Sequence, residues 1–104
     1  MIATPWQWQF PPIANPPSLS GQLAKLREEF MEVMEAYYDE EPPERLAEEL
    51  MDLDHVKDQA LRRLEECGVD LDAVKRDVIA KNDARGYYGS PGEVTELDTE
   101  RRVK

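Results

Sequence analysis

The chain contains a single cysteine, Cys67, and a single histidine, His55. An internal disulfide is therefore excluded, and so is a zinc site built from the usual cysteine and histidine ligands. With no feature of an oxidising compartment, Cys67 is expected to be a buried thiol. Positive charge is also scarce: 13 Lys and Arg stand against 23 Asp and Glu, a formal net charge of −10. That balance argues against a nucleic-acid backbone or an anionic membrane surface as the main partner and favours metal cations. No apolar run approaches the roughly 20 residues needed to span a bilayer, and the start of the chain lacks a signal-peptide pattern. A cytoplasmic protein with no membrane partner is the expectation.

At 104 residues the chain is one domain's worth of protein, with room for one modest core but not for a deep cleft. A sizeable pocket would call for a second subunit. Residues 1–17 hold five of the eight prolines, a density that forbids a helix. An extended proline-rich arm is expected there, with Trp6, Trp8 and Phe10 on one face because they alternate with Gln7 and Gln9. That face should pack on the helices or on a neighbouring subunit; the functional alternative is a stacking surface for a nucleobase.

The remainder reads as all-α. Ser18 or Ser20 can cap a helix over about residues 19–39, where Leu19, Leu23, Leu26, Phe30, Val33, Met34 and Tyr37 recur at steps of three or four. Pro42-Pro43 ends it and can open a second helix, with Leu46, Leu50, Leu53, Val56, Ala60 and Leu64 in one stripe up to Gly68. Asp70 caps a shorter third helix with Leu71, Val74, Val78 and Ile79 inward, running through Lys81, Asn82 and Arg85 to Gly86. The expected architecture is an antiparallel hairpin plus a third helix, completed as a bundle by oligomerisation, with residues 18–88 as the helical domain. The tail 89–104 has few apolar anchors and is expected to be mobile or subunit-bound. We see no internal repeat and no strand-pairing pattern.

The chemistry lies in two acidic pairs. Glu29 and Glu32 are three apart on the first helix, as are Glu49 and Asp52 on the second, so each pair projects from one helix face. The pairs are also in register. In an antiparallel hairpin, opposed residues have position numbers with a constant sum, and Glu29 with Asp52 gives 81, as does Glu32 with Glu49. The fold-back then centres between Glu40 and Glu41, beside the prolines that mark the turn independently. Four facing carboxylates repel one another unless hard cations neutralise them, and Mg²⁺, with Mn²⁺ as a substitute, takes carboxylate oxygens while leaving positions for phosphates. His55, three beyond Asp52, is at most an outer partner, and a boundary residue with one hydrogen bond is the plainer reading. Lys81 and Arg85, four apart at the end of the third helix, are phosphate-binding candidates; Asn82 suits a sugar or base edge, and Tyr87 or Tyr88 a base face. Complementing the helix C-terminus is the plainer role for the two cations.

The pattern Lys25-Leu26-Arg27-Glu28-Glu29-Phe30-Met31-Glu32-Val33, followed by Glu48-Glu49-Leu50-Met51-Asp52 and closed by Lys81-Asn82-Asp83-Ala84-Arg85-Gly86-Tyr87, resembles the MazG-like all-α nucleotide pyrophosphohydrolases, including their small single-domain members. The likeness covers roughly residues 20–88. It implies Mg²⁺-dependent cleavage of nucleoside triphosphates, deoxynucleotides or nucleotides with altered bases, to monophosphate and pyrophosphate in a homodimer or homotetramer. By position, Glu29, Glu32, Glu49 and Asp52 would be metal ligands. Lys81, Asn82 and Arg85, joined by Lys25 and Tyr87, would bind substrate, and Glu28 and Glu48 would be the candidates for orienting water. The competing reading is a non-enzymatic acidic helical module that mimics nucleic acid or occupies a basic partner, which predicts that charge acts diffusely.

Overall fold

The structure, a computed structural model, describes residues 4–89. Among them are three helices and no strand: α1 (Leu19–Tyr38), α2 (Pro43–Glu66) and α3 (Leu71–Ala84). Each begins and ends for a local reason. The Ser18 hydroxyl accepts the Gly21 N–H at 3.2 Å, and the Asp70 carboxylate accepts the Ala73 N–H at 3.1 Å, so both helices start on a side-chain cap. Pro43 opens α2, where the missing N–H costs nothing, and Glu44 in the first turn faces the positive helix end.

All three helices close with the same paired bonds. The N–H groups two and one residues past the cap return to the last turn: Glu41 to Ala36 (3.0 Å) and Glu40 to Tyr37 (3.1 Å) in α1, Val69 to Leu64 and Gly68 to Glu65 in α2, Tyr87 to Asn82 and Gly86 to Asp83 in α3. This closure requires a left-handed residue. Gly68 (φ 97°) and Gly86 (φ 76°) supply it without strain, whereas α1 uses Glu40 at φ 54°.

With only residues 39–42 between them, α1 and α2 pack by folding back, and the bend centres where the acidic register places it. No comparable packing links α3 to either helix. The core is thin. Val33, Ala36, Val56, Ala60 and Leu71 are its buried apolar side chains, and as many polar ones, Gln22, Glu29, Glu49, Asp58 and Gln59, are buried beside them.

Three expectations fail here. The α1 stripe does not turn fully inward: Leu23 and Phe30 are about half exposed, as is Leu50 of α2, because the faces that meet carry Gln22, Glu29, Val33 and Glu49. Val74 and Val78 are likewise exposed, since α3 lies on no helix broad enough to cover them. Cys67 is exposed, because it caps α2 where the chain leaves the packed part of the helix.

Residues 4–18 precede α1 without helix and are fastened to the C-terminal half of α2. Asp58 Oδ2 accepts the backbone N–H groups of Gln9 and Phe10, both at 2.9 Å. Gln59 bonds Ile13 N–H and Pro11 carbonyl, Arg62 donates to the Phe10 carbonyl at 2.6 Å, and Arg63 donates to the carbonyls of Pro16 and Pro17. Trp6, Trp8 and Phe10 are half-buried while Gln7 and Gln9 are exposed. The Arg62 guanidinium lies 4.0 Å from the Trp8 ring centre, and Phe10 meets His55 edge-on at 5.2 Å. The tail expectation for 89–104 falls almost wholly outside the described residues.

Candidate metal centre

Glu29 and Glu49 sit at the buried seam between α1 and α2, with relative exposures of 7% and 5%. Carboxylate oxygens of Glu29, Glu32 and Glu49 lie within 4.8 Å of one another. Glu29 Oε2 is buried with no hydrogen-bond partner. An acceptor of this kind carries a desolvation cost, which either a proton shared with Glu32 or a bound cation would offset.

The electrostatics agree. Burial pushes the Glu29 carboxyl above its ordinary range, the neighbouring Glu32 pushes it further, and Lys25 opposes both. Lys25 Nζ stands 3.4 Å from Glu29 Oε1 and 3.5 Å from Glu28 Oε2. On α2, Arg45 approaches Glu49 at 3.2 Å and Glu48 at 2.6 Å. Glu28 and Glu48 are thus exposed acids turned to cations on their own helices.

Beside the cluster opens a cleft of about 430 Å³ lined by Glu32, Glu35, Asp39, Arg45, Glu49 and Asp52, among others. Asp52 therefore shares the cleft, though it is not one of the three mutually close acids. Lys81, Asn82, Arg85 and Tyr87 do not line it. Lys81, Arg85 and Tyr87 are exposed, and the Asn82 carbonyl serves the α3 closure. His55 lies against Phe10, on the side of α2 occupied by the N-terminal residues.

The hairpin register brings out a repeat missing from the linear reading. Lys25-Leu-Arg-Glu-Glu-Phe-Met-Glu32 and Arg45-Leu-Ala-Glu-Glu-Leu-Met-Asp52 match at seven of eight positions at an offset of 20, with four identities and three like-for-like changes; Arg27 against Ala47 is the exception. All eight pairs also share the same burial, Glu29 and Glu49 alone being buried. Two antiparallel helices carrying one pattern are related by a local two-fold axis, here passing near residues 30–31 and 50–51. The acids cluster at the axis, with Lys25 and Arg45 at opposite ends.

The residues present fit a hard divalent cation. The donor set is all carboxylate oxygen, drawn from two helices, with one acceptor unpartnered. Another length of the same hairpin is apolar: Leu23, Leu26, Phe30, Leu50 and Leu53 line a groove of about 570 Å³ edged by Arg27, Asp54 and Lys57. Among the described residues no helix is long and apolar enough to cross a membrane. Compared with family models, characterised proteins and solved structures, the chain matches none.

Proposed function

We propose that the chain is a Mg²⁺-dependent nucleoside triphosphate pyrophosphohydrolase of MazG-like type, acting in the cytoplasm and releasing monophosphate and pyrophosphate. The single observation that carries this reading is that carboxylate oxygens of Glu29, Glu32 and Glu49, from two helices, lie within 4.8 Å of one another. Those three would hold the ion, with Asp52 completing the set from the cleft wall. Mg²⁺ would supply neutralisation of the phosphates and a more acidic water at the phosphorus. The protein's part is to fix the carboxylates in a rigid helical pair, so that the phosphates are met by an arrangement already in place.

A second copy belongs to the same reading. The apolar groove beside the cluster exposes Leu23, Phe30 and Leu50, and covering it with another hairpin would form a helical bundle. A dimer or tetramer would also be the route by which Lys81, Asn82, Arg85 and Tyr87 reach a cleft that they do not line in their own chain.

The test is incubation with a panel of standard and base-modified ribo- and deoxynucleoside triphosphates in Mg²⁺, with separation of products. Monophosphate and pyrophosphate in equal amounts from at least one member are expected. Their absence from every member, with Mg²⁺ or Mn²⁺ present, would sink the proposal. The acidic-module alternative predicts instead that Glu32→Gln leaves function intact.

A further inference from the structure

Among the described residues, Arg45 is the only basic side chain lining the acidic cleft. Its guanidinium is divided between two acids of different kinds. One nitrogen holds Glu48, which is exposed and outside the cluster, at 2.6 Å; the other holds Glu49, a buried member of the cluster, at 3.2 Å. Lys25 makes the same division between exposed Glu28 and buried Glu29 at the other end of the two-fold. A helical ion pair needs only one acid, and both cations here take a second that belongs to the proposed metal site.

A dication and a guanidinium cannot both neutralise the same carboxylate without repelling each other. Resting on the metal reading above, we propose that Arg45 is a polyphosphate-binding residue of the cleft, parked on Glu49 until a divalent cation takes that carboxylate and then turned onto the phosphates. Glu48 is its positioning residue. By keeping one guanidinium nitrogen at 2.6 Å, Glu48 holds the side chain at the cleft edge while the freed nitrogens face inward. Lys25 and Glu28 line a separate pocket with His55 and Gln59, so Arg45 is the cation that faces the cleft. Glu48 thereby gains a role that does not require it to handle water.

The exchange separates two quantities that a purely structural ion pair would leave alone. Mg²⁺ alone is titrated by calorimetry into the full-length wild type, R45Q and E48Q, and half-saturation by triphosphate is then measured at saturating Mg²⁺. R45Q should bind Mg²⁺ several-fold more tightly, because its competitor for Glu49 is gone, yet need roughly tenfold more triphosphate, because a charged phosphate contact is lost. E48Q should weaken triphosphate binding in the same direction, and R45K should recover part of it. Inorganic tripolyphosphate as a competitor should lose affinity for R45Q to the same extent, which removes any contribution from the base. If R45Q changes neither quantity, or weakens both, the inference is overturned while the hydrolase reading stands. If the wild type takes up no Mg²⁺, both fall.

Discussion

The two halves of α2 bury acids in opposite ways. Asp58, wholly buried, offers Oδ2 to two backbone amides of the N-terminal residues, while its Oδ1 has no hydrogen-bond partner and only the Lys57 ammonium 3.8 Å away. Glu49, two and a half turns earlier and almost as buried, meets no backbone donor among its described contacts: its neighbours are other acids and one shared guanidinium. An acid with one oxygen held by fixed amides is a fastening, because those donors cannot leave. An acid balanced by a half-exposed side chain can exchange its counter-ion, and that freedom suits a binding site.

The contrast can be broken most forcefully at Asp58. Asp58→Ala strands two amide donors and should cost about 2–4 kcal/mol of unfolding free energy, whether or not Mg²⁺ is present. Glu29→Gln should do the reverse: metal-free stability unchanged or raised by about 1 kcal/mol or less, with turnover lost. Denaturant melts of the two variants side by side would refute the comparison if Glu29→Gln proved the more damaging. Next in size is the ion itself. Mg²⁺ at about a hundred times its dissociation constant should stabilise the wild type by about 2.7 kcal/mol, and Glu29→Gln should lose most of that shift while retaining the N-terminal fastening. A wild-type melting temperature insensitive to Mg²⁺ would count against the site. The smallest effect tests the hairpin that aligns the acids. Glu40→Gly should stabilise by about 0.5–1 kcal/mol, since glycine takes the left-handed closure of α1 as Gly68 and Gly86 do for α2 and α3. A loss of stability would mean that the Glu40 side chain matters more than its backbone.

Helix limits, the bend and the facing of Glu29, Glu32 and Glu49 were legible because caps, prolines and a three-residue spacing are local signals. The inward faces were not. Leu23, Phe30 and Leu50 are larger than Val33, Ala36, Val56 and Ala60, the small residues that are buried, so apolar periodicity points at a surface left open in the single chain rather than at the α1–α2 seam. Asp58 and Gln59 could not be read as buried, since their burial depends on main-chain groups some fifty positions away. Val74 and Val78 misled for the converse reason: a periodic helix signals a face without saying that anything covers it. The eight-residue repeat is shorter than any whole structural unit, and it becomes visible once the hairpin register supplies an axis.

The residues before α1 also reach past α2. Trp6 N–H donates to Asp72, and Lys75 bonds the Thr4 hydroxyl and the Pro5 carbonyl, so α3 is moored to the same strip of chain that grips Asp58. Because α3 packs only sparsely on the other helices, that strip is its main fastening. Under the proposed function, residues 4–6 thus help to place the helix that bears Lys81 and Arg85, from the opposite end of the polypeptide.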